Sequence, residues 1–401
     1  MLNRRQAMRL AAAGILAAGK LPSAVAADDT VTLPIANGER PLVTYPGKRP
    51  MIRLTTRPPQ LETPFSVFNE GAITPNDAFF VRYHLAGIPL SIEPEAFRLT
   101  IGGKVDAAQS FSLADLKSGF EPVELTAVNQ CAGNSRGFFA PRVAGGQSGN
   151  GAMGNARWRG VPLKALLAKA GVQAGAVQAS FRGLDAPVLP DTPAFVKALD
   201  IDHALDGEVM VAYAMNGDDL PWLNGFPVRL VVPGCYGTYW IKQLSEIRVL
   251  DAPLDNFWMK TAYRIPDNPC ACSEPGKPPS STRPIGRFNV RSFLTNVLDG
   301  ATVAANADLG LRGIAFDGGS GISDVVVSAD GGASWVGATL GEDLGKYSFR
   351  EWKARIVLPP GRHALRVRAT NRIGQSQPLE PLWNPAGYMR NVVEVTNVTA
   401  A

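Results

Sequence analysis

The chain has 401 residues, 45% of them hydrophobic and 19% charged, enough apolar side chains for two or more buried cores and too many for a disordered segment. The formal net charge is +5, but Arg4, Arg5, Arg9 and Lys20 fall within a predicted export signal, and the 36 other basic residues nearly balance 35 acidic ones. That balance argues against a broad basic face for nucleic acid.

Residues 1–27 read as the signal: Arg4-Arg5 precede the apolar run Leu10 to Ala18, and the small residues Ala24-Val25-Ala26 precede Asp28. The arginine pair fits twin-arginine export of a folded protein to the periplasm, with a plain secretory signal as the competing reading. No later stretch reaches the ~20 apolar residues of a membrane helix. The 41 Gly and 32 Pro lie among short apolar runs, which predicts strands and turns with few helices.

Residues 28–75 are Pro-rich and weakly periodic, predicting an extended arm, and residues 76–264 predict one α+β unit. Its clearest helix is Pro162 to Ala170, punctuated by Pro162 and Gly171, and its clearest strands are Val228 to Val232 and Ile247 to Leu250. Six prolines between Ile265 and Pro284 predict a linker or surface crossing. Over residues 285–397, Val325 to Val327, Arg355 to Leu358 and Ala364 to Ala369 are separated by Gly- and Pro-rich turns, predicting an immunoglobulin-like β-sandwich of roughly seven strands.

Several familiar sites are excluded. Gly149 to Gly154 matches G-x-G-x-x-G, but Trp158 to Pro162 follows where a helix should open, so it is read as a surface loop. His84, His203 and His363 are the only histidines, which argues against histidine-based zinc chemistry, and no c-type haem attachment motif is present. Cys131, Cys235, Cys270 and Cys272 form no spaced zinc set. A bridge between Cys270 and Cys272 would close a strained two-residue step, so these two are expected to stay unpaired.

Two clusters carry chemistry. In Asn129-Gln-Cys131-Ala-Gly-Asn134-Ser-Arg136 a thiol lies five positions before an arginine, and a thiolate near a cation is a soft ligand for a redox-active metal. Taken alone, a single cysteine is more often a small buried hydrophobe. In Phe79-Phe80-Val81-Arg82-Tyr83-His84, strand alternation puts Arg82 and His84 on one face, suited to an oxyanion; the competing reading is a salt bridge and a core histidine.

Together these clusters resemble the molybdenum domain of the sulfite oxidase family. The likeness continues through Gly183-Leu184-Asp185, Met215-Asn216-Gly217, Asn224 to Arg229, Val232-Pro233-Gly234, Lys242, Ala262-Tyr263 and Trp383-Asn384-Pro385-Ala386-Gly387. The resemblance implies that Cys131 supplies the single protein thiolate to a molybdenum held by a pyranopterin dithiolene. It implies His84, Asp185, Asn224, Arg229 and Lys242 at the pterin and its phosphate, with Arg82, Arg136 and Tyr263 in the substrate pocket and Arg390 as a further pocket arginine. Many members carry tryptophan where Ser148 stands here, so a wider pocket is expected. The implied fold is a mixed α+β molybdenum domain followed by an immunoglobulin-like dimerisation domain. The implied activity is oxidation of sulfite to sulfate by a bacterial periplasmic sulfite dehydrogenase without haem, acting as a homodimer and passing electrons to a separate c-type cytochrome. A related molybdenum reductase of oxidised methionine, which usually lacks the second domain, is the rival, and a cofactor-free binding module is a more distant one.

Overall fold

The computed structural model describes residues 30–33 and 38–401, so the signal expected over residues 1–27 lies outside the described residues. Within the arm, Thr30–Leu33, Gly38–Val43, Met51–Thr55 and Gln60–Glu62 pair as an antiparallel meander that ends on Val81–Arg82. The expected extended arm is thus a small sheet, because most of its prolines fall between strands, with Pro41 standing within Gly38–Val43, and the residues between them pair. That sheet places Glu62 and Arg82 on adjoining strands.

Two further sheets form the body of residues 76–264. In one, Val196–Asp200, Gln178–Gly183, Leu244–Leu250, Leu99–Gly103 and Gln109–Phe111 lie in that order, with Leu244–Leu250 parallel to Leu99–Gly103. In the other, Asp218–Asp219, Met210–Met215, Met153–Pro162 and Val123–Gln130 lie side by side, and Arg229–Val231 also pairs with Met210–Met215. The Gly149 to Gly154 segment runs into the strand Met153–Pro162 and opens no helix, but it is buried and not the expected surface loop, because Gly149 and Gly151 N–H donate to the buried Glu62 carboxylate. Helix Leu163–Ala170 buries Leu163, Leu166, Leu167 and Ala170 and stops at Gly171, whose φ of +71° suits a residue without a side chain.

Residues 264–284 cross the surface with only a short ladder between Arg264–Pro266 and Thr282–Pro284. Cys270 and Cys272 are bridged there, with Cα atoms 5.1 Å apart, contrary to the unpaired expectation. The turn makes this reachable, since Ala271 between them adopts a left-handed φ of +49° and brings both Cβ atoms to one side.

Beyond the crossing, Arg291–Leu294, Asp308–Phe316, Arg350–Val357 and Thr339–Leu340 form one sheet. Ala301–Val303, Val395–Ala400, Gly361–Asn371, Ile322–Ser328 and Val336–Gly337 form the other. Val325, Val327, Trp352, Val367 and Val398 fill the space between them, giving the expected sandwich its own core. Between Asn371 and Val395 the chain leaves the sandwich and returns to the first domain, where Trp383 donates its indole N–H to Pro141 O at 2.8 Å. No helix among the described residues is long and apolar enough to cross a membrane.

Candidate active site

The strand Val123–Gln130 delivers Cys131 to the centre of the first domain, where its backbone N–H donates to Ala152 O at 2.9 Å. The chain then reverses: Asn134 N–H donates to Cys131 O at 3.0 Å, and the Asn134 amide oxygen accepts from Ala152 N–H at 2.9 Å. Ser135 takes a left-handed φ of +67°, which starts the short turn Arg136–Phe138 and returns the Arg136 side chain toward the thiol. Arg136 lies flat against Gly133 and Gly145, where an added Cβ would come within 2.7 and 2.8 Å of the guanidinium, so neither position tolerates a side chain without displacing it. Cys131 is a free, half-buried thiol.

Two adjoining cavities meet at Cys131. The narrow one is lined by Arg82, His84, Cys131, Asn224, Arg229, Lys242 and Tyr263, together with Asn129 and Thr238. The wider one, of about 340 Å³, shares Arg82, Cys131 and Tyr263 and adds Arg136, Ser148, Trp258 and Tyr388. Eight of the ten residues singled out in the sequence are therefore gathered on these walls.

Asp185 and Arg390 are not on them. The Asp185 carboxyl is raised by burial and drawn back by the Lys242 charge, and it stands outside both linings. Arg390 pairs with Glu394 and lies over the Phe138 ring at 5.0 Å, so the expected pocket arginine is held inside an ion pair instead. Asn224 is on the narrow wall, but its amide oxygen accepts from Lys48 Nζ at 2.6 Å and its amide nitrogen donates to Phe80 O at 3.0 Å. The side-chain amide thus braces the site from behind.

The electrostatics are one-sided. Burial lowers Lys242 to about 7, Lys48 to about 7, Lys197 to about 7 and Arg229 to about 9. Lys242 donates to Arg82 O at 2.6 Å, Lys197 to Trp258 O at 2.7 Å, and Arg229 to Asn224 O at 2.9 Å, so their partners are carbonyl oxygens and no carboxylate. Arg229 also lies against Trp158 and Trp240, with ring centroids at 5.0 and 5.5 Å. Such an array pays a desolvation penalty that a buried anion would repay.

His84 Nε2 and the Tyr263 hydroxyl share a hydrogen bond, and His84 stacks on Phe195 at 3.6 Å. Burial, followed by the Arg82, Lys242 and Lys197 charges, holds His84 well below the ordinary histidine range, while burial raises Tyr263. Both are neutral at pH 7, with one proton between them. Tyr263 has a φ of +57°, a strained conformation for a tyrosine.

Residues 84–258 match the model described as the oxidoreductase molybdopterin binding domain, and residues 282–399 match the Mo-co oxidoreductase dimerisation domain. Mitochondrial sulfite oxidase of Macaca fascicularis is 33% identical over 92% of this chain and 69% of its own length, and that of Homo sapiens is 33% identical over 89% and 67%. The chain belongs to the sulfite oxidase family. Among solved structures, the sulfane dehydrogenase SoxCD from Paracoccus pantotrophus is similar at a TM-score of 0.73 and 27% identity, covering 88% of this chain and 91% of that one. Sulfite oxidase family membership brings a molybdenum-molybdopterin cofactor and molybdenum-dependent sulfur oxidation, and the site is consistent with that cofactor. The Asn129 amide oxygen, the Thr238 hydroxyl and Arg229 Nε are buried without a partner on the narrow wall, where a group carrying both an N–H donor, for Asn129, and anionic oxygens, for Thr238 and Arg229, would satisfy them. Among the described residues no three His, Cys, Asp or Glu side chains are grouped to hold a metal.

Sequence reasoning missed Lys48, Lys197, Asn129, Thr238 and Tyr388. Tyr388 follows directly on Trp383 to Gly387 and was within reach of that motif. Lys48 and Lys197 carry no local signal, since nothing in Pro46-Gly47-Lys48 or Val196-Lys197-Ala198 marks a lysine as buried.

Proposed function

We propose that the protein is a periplasmic sulfite dehydrogenase, exported by the twin-arginine route, that oxidises sulfite to sulfate as a homodimer and passes electrons singly to a separate c-type cytochrome. The observation that carries this reading is the meeting of Cys131 with Arg82, Arg136 and the His84–Tyr263 pair where two adjoining cavities join. The matched dimerisation domain supports the dimer and counts against the methionine sulfoxide reductase reading.

Cys131, Arg229, Lys242, His84, Asn129 and Thr238 are the residues that would hold the molybdopterin group. When bound, it supplies oxygen-atom transfer and takes up two electrons. Arg82 and Arg136 bind sulfite through charge-assisted hydrogen bonds to its oxygens, which leaves the sulfur lone pair free to face the Cys131 end of the cavity. Tyr263 and His84 hold a proton at the Tyr263 oxygen, next to where oxygen is gained. Tyr388 stacks on Tyr263 at 5.4 Å with an interplanar angle of 10° and lies under Arg136 at 4.9 Å, fixing both against the cavity wall.

The similarity to a sulfane dehydrogenase, together with a cavity of about 340 Å³, supports a second reading in which sulfane sulfur is the substrate. The deciding experiment is anaerobic turnover of molybdenum-loaded protein with sulfite or a sulfane donor, following reduction of cytochrome c or ferricyanide. Two acceptor equivalents per sulfate are expected. Absence of molybdenum, or a response only to the sulfane donor, overturns sulfite oxidation; rapid oxygen consumption without an acceptor overturns the cytochrome assignment.

A further inference from the structure

The wider cavity is built in two unlike halves. Cys131, Arg82, Arg136 and Tyr263 line one end together with Trp258 and Tyr388, whose rings lie against Tyr263, whereas Leu54, Ala144 and Phe257 make the rest of the wall largely apolar beside Gln60. Phe257 is 46% exposed and marks the mouth. The one carboxylate on the wall, Glu62, is turned to the backbone, accepting from Gly149 N–H at 3.0 Å and Gly151 N–H at 2.6 Å. Ser148 takes little room, since its hydroxyl donates to Gly133 O at 2.6 Å and lies against the loop.

Sulfite has only four non-hydrogen atoms, which at ~30 Å³ each, one water's share of liquid volume, come to roughly 120 Å³. The cavity of about 340 Å³ exceeds this, and although the cofactor would share its Cys131 end, the lining at Leu54, Ala144, Phe257 and Trp258 is apolar surface for which sulfite has no use. An apolar compartment next to a paired-arginine oxyanion site fits an amphipathic anion.

We infer that this site also oxidises organic sulfinates, R–SO₂⁻, to sulfonates. A sulfinate keeps the two features the inner end requires: anionic oxygens for Arg82 and Arg136, and a lone pair on sulfur. It replaces the third oxygen of sulfite by a carbon group, which lies along Trp258, Phe257 and Tyr388. Carboxylates have no sulfur to oxidise, neutral sulfides offer no charge to the arginines, and sulfonates have lost the lone pair and so leave as product. The balance is R–SO₂⁻ + H₂O → R–SO₃⁻ + 2 H⁺ + 2 e⁻. One S–O bond forms, both O–H bonds of water break, the two protons go to solvent, and the electrons go one at a time to the same class of one-electron acceptor as for sulfite. The inference rests on the reading of the Cys131 end as the reaction centre.

The test gives the molybdenum-loaded protein benzenesulfinate or methanesulfinate with ferricyanide, in ¹⁸O-water without oxygen. Sulfonate carrying one labelled oxygen is expected, with two ferricyanide reduced for each. As a readout besides turnover, benzenesulfonate is expected to quench tryptophan emission, through Trp258, and to compete with sulfite. Ala144 is exposed at the cavity rim, so Ala144→Phe narrows the outer half without entering a core. It is expected to lower kcat/KM at least tenfold more for benzenesulfinate than for methanesulfinate. Oxidation of sulfite with no sulfonate from either sulfinate, and no quenching or competition, overturns the inference and leaves sulfite oxidation standing. Oxidation of sulfinates but not of sulfite supports the inference and overturns the sulfite reading. An equal effect of Ala144→Phe on both sulfinates overturns the assignment of the carbon group to the outer wall.

Discussion

Buried positive charge is treated in opposite ways on the two sides of the Cys131 loop. On the cofactor side, Lys48, Lys197, Arg229 and Lys242 sit in the first domain with carbonyl oxygens for company. On the sandwich side, Arg291 is just as deep but reaches Glu394 at 3.1 Å, and donates to Ser135 Oγ at 2.6 Å, while Arg390 pairs with the same Glu394. The second arrangement sets a carboxylate against the charge, although Arg291 Nε and Nη1 stay without a partner, and ties the sandwich to the loop that carries Cys131 and Arg136. The first stays electrostatically open, which is costly for an isolated fold and suited to taking up an anionic group.

The sharpest way to separate ligand from scaffold is Cys131→Ser. Sulfite oxidation is expected to fall to background while circular dichroism and thermal midpoint stay near those of the parent, because an alcohol is a poor substitute for a soft thiolate. Full activity would remove Cys131 from the metal.

Next in size is Glu394→Ala, which strands two arginines and is expected to cost about 3 kcal/mol of unfolding free energy in a denaturant titration. Arg229→Met on the other side should do the reverse in cofactor-free protein, leaving stability equal or higher, since an unpaired buried charge gives way to an apolar side chain. The same variant should lose molybdopterin content. Equal destabilisation by both changes would erase the contrast between the two regions.

Arg82→Gln tests the substrate end of the open side. The KM for sulfite is expected to rise at least tenfold, in line with ~1.5–3 kcal/mol for a charge-assisted contact. An unchanged KM would show that Arg82 does not meet the substrate.

The smallest effect concerns Glu62, raised by burial from 4.5 to about 7 despite the Gly149 and Gly151 N–H groups. A folded-state value above the unfolded one means that its contribution to stability is complete below pH 4.5 and is lost as pH rises toward 7. Glu62→Gln carries no titration, so its thermal midpoint should fall less than that of the parent between pH 5 and pH 7.5. Parallel pH profiles for the two proteins would overturn this.

Much of the molecule was legible in the chain because local chemistry determines it. The helix over Leu163–Ala170 follows from its apolar spacing and its Pro and Gly punctuation, and the sandwich from short apolar runs set between turns. Cys131 and Arg136 could be named together because both belong to one loop, and Arg82 and His84 because they lie two apart in one run, although the strand itself ends at Arg82 and tertiary packing brings both to the narrow cavity. What the sequence left open depends on distant segments meeting. Arg390 looked like a pocket arginine until Glu394, four residues on, was seen to take its charge, and the Asn224 amide was engaged by Lys48 from a strand-rich arm 176 residues away. The Cys270–Cys272 bridge depended on a single left-handed residue between them. The cavity itself, with Tyr388 arriving from the excursion between two sandwich strands to stack on Tyr263, exists only once both domains are packed. Residue type and spacing set which chemistry this chain can perform, whereas burial and partners across the fold decide which of its charges remain free to perform it.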